Sequence, residues 1–119
     1  MKKTVKHYLA DIKEYAELII LDTKNLSEEQ FSAYRILQDA VLRRIGVIGE
    51  VVKRIPDSYR AKYKEIPWED MAGTGDVIVH DYDGVDMSIV WEIVSKFIPE
   101  ILPQIDKLLE SEDFEIHEE

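Results

Sequence analysis

The chain of 119 residues contains no cysteine. Disulfides, thiolate metal sites and a cysteine nucleophile are thereby excluded. It also lacks a long apolar run, and nothing in it approaches the roughly 20 residues that a membrane-spanning helix requires. Met1-Lys2-Lys3-Thr4-Val5-Lys6-His7 opens no apolar segment of the secretory type, so a cytoplasmic protein is expected. Strand signals are scarce, with no candidate longer than Val77–Val79. Positive charge is also short. The 15 Lys and Arg face 25 Asp and Glu, and the net charge of −10 argues against generic nucleic-acid binding.

What remains, 45% hydrophobic and 34% charged residues, fits one globular helical domain. The charge is unevenly spread. Residues 1–60 carry eleven basic and nine acidic side chains, whereas residues 61–119 carry four and sixteen. Within 43–64, the basic residues Arg43, Arg44, Lys53, Arg54, Arg60, Lys62 and Lys64 meet only Glu50 and Asp57. This reads either as a solvated helix face or as a basic patch that could meet phosphate, with Arg43, Arg44, Lys53 and Arg54 as the candidate contacts.

Helical periodicity dominates the rest. Val5, Tyr8/Leu9, Ile12, Tyr15/Ala16 and Ile19 draw one stripe over the first 21 residues. Ser27 with Gln30 three residues later forms a capping box, with Leu26 poised to staple against Phe31. From there one long helix is expected to reach Ile55, where Pro56 stops it. Gly46 and Gly49 inside it each cost about 1 kcal/mol relative to Ala, which the close approach of another helix would explain. Glu50 reads as the partner of Lys53 or Arg54.

After a connection at 56–66 with one turn near Ser58–Tyr63, Pro67 opens a third helix. Trp68, Met71, Ala72, Ile78, Val79 and Tyr82 are expected on its buried side. Asp83-Gly84 makes a turn, and Asp86 caps a last helix. Pro99 and Pro103 kink or break that helix. The sum is an all-α, up-and-down bundle of four to five helices over residues 1–110, followed by an acidic tail at 111–119 that is expected to fray.

Chemistry concentrates in Gly75-Asp76-Val77-Ile78-Val79-His80-Asp81-Tyr82. His7 lies near the N-terminus and His117 in the tail, leaving His80 as the one central imidazole able to move protons near neutral pH. Asp76, one helical turn before His80, is placed to orient its ring. On the residues alone, His80 reads as a satisfied structural histidine and Tyr82 as a core aromatic whose hydroxyl finds a partner. The acids of 81–86 lack the spacing of a calcium loop, and an HD-type phosphohydrolase would need further histidines, so no metal is expected.

With Ile66-Pro67-Trp68-Glu69-Asp70-Met71-Ala72-Gly73-Thr74 before it and Asp83-Gly84-Val85-Asp86 after it, this stretch resembles the HEPN family, and within it the HepT-type toxins paired with an MNT-type nucleotidyltransferase. Their motif is Arg, four to six residues, His, any residue, Tyr. His80 and Tyr82 match it, and Gly75 stands where the arginine belongs. Arg44–Lys53, with Gly49-Glu50, is similar to a second stretch of that family. The resemblance implies a homodimeric, metal-independent RNA endonuclease that needs no cofactor. In it two copies of His80 share one cleft, Tyr82 contacts RNA, and the transferase antitoxin silences the toxin by adding AMP to Tyr82. Gly75 implies lowered activity, since a lost guanidinium removes a phosphate grip. Gly75→Arg is then expected to restore that grip and to stabilise the helix slightly. The competing expectation is a non-catalytic helical subunit that only binds a nucleotidyltransferase.

Overall fold

The computed structural model describes residues 4–115. Within them the chain is all helical, with four long rods and two short helices. They are α1 (Val5–Thr23), α2 (Glu28–Ala33), α3 (Arg35–Arg54), α4 (Asp57–Lys62), α5 (Trp68–His80), α6 (Met87–Glu92) and α7 (Ile98–Ser111). A π turn, Ile93–Phe97, joins α6 to α7 in one continuous rod. No helix among the described residues is long and apolar enough to cross a membrane.

The stripe on α1 buries Val5, Leu9, Ile12, Ala16 and Ile19 against α3 and α7. His7 closes a capping box with Thr4, its Nδ1 accepting the Thr4 backbone N–H at 3.2 Å, so it is committed to starting α1. His117 lies outside the described residues. The second box forms as its spacing dictates. Gln30 N–H donates to Ser27 Oγ at 3.1 Å, and Ser27 N–H donates to Gln30 Oε1 at 2.9 Å.

The single helix expected from Ser27 to Ile55 is instead two. Tyr34, at φ −106° and ψ 81°, breaks the path between α2 and α3. The side chain of Gln38 makes the break tolerable. Its Nε2 donates to the carbonyls of Phe31 and Ser32, both at 2.8 Å, and satisfies acceptors that α2 leaves open at its end. Gln38 is buried for that purpose, within a stripe otherwise built from Leu37, Val41, Leu42, Ile45 and Ile48.

Pro99 acts upstream of where it stands. Ile98 N–H donates to the carbonyl of Ile93, five residues back, which widens the helix just before Pro99. Pro99 has no N–H for an ordinary helical bond, and its ring crowds the carbonyl four residues earlier. That carbonyl, on Ser95, belongs to the widened turn. Pro103 is then carried inside α7.

The acidic tail does not fray at its start. Tyr59 Oη donates to the Asp113 carbonyl at 2.8 Å, Tyr63 Oη donates to the Asp113 carboxylate, and Lys62 pairs with that carboxylate at 2.9 Å. The ammonium of Lys62 also stands 5.6 Å from the Tyr59 ring centroid and 5.7 Å from that of Tyr63. Asp113 thus holds the start of the tail against α4.

Candidate active site in the groove between α3 and α5

α5 packs chiefly on α3, and two glycines set the distance. A Cβ on Gly49 would stand 2.8 Å from the Cα of Gly75, closer than side chains tolerate. A Cβ on Gly46 would meet Val79 only at ordinary van der Waals range, 3.5 Å. The expected close approach is therefore present at Gly49, with Gly75 as its other half, while Gly46 lies beside α5 without requiring glycine. Gly75 is buried there, so restoring an arginine at this position would force α5 away from α3. The expected gain in helix stability is overturned by packing.

With Gly75, Met71, Trp68 and Ile78 turned toward α3 and the core, the opposite side of α5 faces solvent. His80 is the last residue of α5 and exposed, and its imidazole is hydrogen-bonded to no described residue. It is not the satisfied, interior histidine that the residues alone suggested. Val79, 55% exposed, and Tyr82, 42% exposed, also lie outside the buried side expected of them. Tyr82 has left the helix altogether, in a 3₁₀ turn at Tyr82–Gly84.

Asp76 does not orient His80. Its carboxylate accepts from Lys53 Nζ, which reaches across from α3 and also holds Glu50 Oε1 at 3.1 Å. The Asp76 hydrogen bond, then that of Glu50, raises the Lys53 ammonium above its usual range. The pairing expected of Glu50 is present, and Asp76 joins it.

The basic cluster separates into different tasks. Arg44 turns toward α1, bonded to Asp22 at 2.5 Å and to the Leu18 carbonyl at 3.4 Å. Arg60 pairs with Asp57. Arg43 and Arg54, engaged in no ion pair among the described residues, line an open groove of about 460 Å³. Leu42, Val47, Ile78 and Val79 give the groove an apolar lining, and Tyr82 stands in its wall. Of the four candidate RNA contacts, the fold brings two to the tyrosine. Tyr82 Oη donates to Asp39 Oδ1 at 3.0 Å. Burial, then this bond, lifts the phenol above its ordinary value, against the opposing charge of Arg35.

A ribonuclease HepT-like family model matches residues 5–108, a span holding α3, α5 and every residue of this groove. The chain belongs to the HepT-like ribonuclease family. It is 44% identical over 113 residues to a Methanocaldococcus jannaschii protein named "Gamma-glutamylcyclotransferase and putative RNase", covering 95% of this chain and 51% of that one. The chain thus spans about half the length of that relative. A "Putative RNase" of the same organism is 43% identical, with 91% of this chain and 89% of the relative covered. A "Probable ribonuclease HepT" of Thermococcus cleftensis is 39% identical, with 91% and 98% covered. No solved structure matches significantly.

The structure leaves both His80 and Tyr82 reachable from solvent. Asp39 gave no signal in the sequence. It lies 43 residues from Tyr82, and only the fold joins them.

Proposed function

We propose that this chain is a metal-independent RNA endonuclease acting as a symmetric homodimer in the cytoplasm, the toxin of a toxin–antitoxin pair. The observation that carries the reading is the exposed imidazole of His80 at the end of α5, in a chain of the HepT-like ribonuclease family. Transesterification of RNA needs a base for the 2′-hydroxyl and an acid for the leaving oxygen. Each chain offers one such histidine, and a two-fold pair offers both.

Beside α5 lies a second groove, about 580 Å³, lined by Ile45, Met71, Val77, Ile93, Phe97 and Ile101 among others. Val77 is 60% exposed and stands three residues before His80 on the same helix. A second copy covering this apolar surface would bring two α5 helices, and two His80 rings, toward one another. Arg43 and Arg54 supply phosphate contacts, and Tyr82 touches the RNA beside them. An MNT-type nucleotidyltransferase silences the enzyme by adding AMP to Tyr82, which places negative charge in the groove where RNA phosphate would dock.

Without an arginine at position 75 the reaction lacks one preorganised donor, which costs about 100- to 1000-fold in rate. The test is RNA incubated with excess chain and chelator, beside His80→Ala. Slow cleavage that disappears with His80 supports the reading. A folded dimer that leaves RNA intact yet binds its transferase would replace it with the non-catalytic subunit. The engagement of Asp76 by Lys53, away from His80, favours that second reading.

A further inference from the structure

Asp39 stands on the exposed side of α3, four residues after Arg35 and four before Arg43. No other described side chain is bonded to the phenol of Tyr82, and the 3.0 Å contact is direct. We propose that Asp39 is the proton acceptor when Tyr82 receives a nucleotidyl group. This rests on the reading of Tyr82 as the modified residue.

The step balances as follows. Tyr82 Oη attacks the α-phosphorus of a nucleoside triphosphate held by the transferase. A bond forms between Oη and the α-phosphorus, and the bond from that phosphorus to the oxygen bridging to the β-phosphate breaks. Pyrophosphate leaves, the phenolic proton passes to Asp39 Oδ1, and Asp39 returns it to water. The product is a phosphodiester between tyrosine and a nucleoside monophosphate.

A base is required because the phenol is held above its ordinary value of 10, by burial first and by Asp39 second. At neutral pH the proton is therefore still on Oη and must depart as the new bond forms. A carboxylate taking the proton of an attacking hydroxyl is the arrangement protein kinases use in phosphoryl transfer. The other charges bearing on Oη are Arg35, from α3, and Asp83, from the tyrosine's own turn. Arg35 stabilises the developing phenolate and Asp83 opposes it, so the transfer of the proton falls to the one group in contact. The acceptor side of the reaction thus carries its own base, and the transferase need only hold and orient the triphosphate.

Asp39→Asn separates this role from simple positioning, because the amide oxygen still accepts the Tyr82 hydrogen bond while losing its basicity. Wild type, Asp39→Asn, Asp39→Glu and Tyr82→Phe are each incubated with an MNT-type nucleotidyltransferase and with magnesium ATP. AMP addition is followed by mass spectrometry across a range of pH. Asp39→Asn should slow addition by about 100-fold or more. It should also flatten the dependence of rate on pH, and Asp39→Glu should recover part of the rate. Binding of Asp39→Asn to the transferase at wild-type affinity establishes that the fold and the complex are intact. Equal rates for wild type and Asp39→Asn overturn the proposal and leave Tyr82 as the acceptor. Wild type unmodified at Tyr82 overturns the reading of Tyr82 itself, and the proposal with it.

Discussion

Gly75 and Gly49 meet backbone to backbone, such that a Cβ on Gly75 would stand 2.9 Å from the Cα of Gly49. This contact fixes both the distance between α3 and α5 and the rotation of α5, and hence the direction in which His80 points. Gly73, two residues earlier, has nothing within 4 Å of the same construction. Ala at the two positions should therefore act in opposite directions. Gly73→Ala should stabilise by up to about 1 kcal/mol through helix propensity. Gly75→Ala should destabilise by about 1–3 kcal/mol through overpacking, and Gly75→Arg by at least as much. Thermal denaturation of the three variants checks the signs, and a rise in melting temperature for Gly75→Arg would contradict the packing seen here.

His80 and Tyr82 should separate on two assays. His80→Ala should lower RNA cleavage by about 100-fold or more, the usual scale of an acid–base group. Tyr82→Phe should retain more of that cleavage while accepting no AMP. Single-turnover cleavage and intact-mass measurement read the two effects on the same preparations.

Arg43 and Arg54 should behave alike, and Arg44 differently. Each of the first two, changed to Ala, should weaken RNA binding and reduce the salt dependence by about 0.7 per lost contact with single-stranded RNA. Arg44→Ala should leave the salt slope unchanged, because its guanidinium serves Asp22 and Leu18 of α1. Binding titrations at several salt concentrations distinguish them.

The tail anchor should be acid-labile. Hydrogen bonds from Tyr63 and then Lys62 lower the Asp113 carboxyl from 3.8 to about 2. A carboxylate depressed in the folded state contributes stability above its unfolded value and loses it as pH falls. The contribution is accordingly complete above about pH 4 and declines between 3.8 and about 2. Proteolysis by an acid-active protease should release the C-terminal segment in that window, and Asp113→Asn should release it at neutral pH as well.

Much of the fold was legible because the pattern and the packing agree. The α1 stripe, the Ser27–Gln30 box, the stop before Pro56 and the cap at Asp86 are local matters, and each forms where its residues predict. Gly46 and Gly49 announced a close neighbour without identifying it. The break at Tyr34 was hidden, since the apolar stripe runs straight through it. The clue lay in Gln38, an amide at a core position, which needs a buried partner and finds two carbonyls left open by the break. At the site, the motif pointed to His80 and Tyr82, but exposure depends on how α5 is rotated, and that is set by Gly75 against Gly49 from another helix. Asp76 was misassigned for the same reason. Its neighbour one turn along α5 competes with a lysine that only tertiary structure brings near.

α5 leans chiefly on α3, while α1 ties α3 to α7. The rod pairs α1–α3 and α1–α7 can stay closed while α5 lifts from its single main seat. Should α5 open as a unit of its own, it would do so at less than the free energy of global unfolding. Its amides should exchange with solvent deuterium ahead of those of α1. A partner that grips the lifted form would then act on this chain through the equilibrium of one helix, leaving the remainder of the protein folded.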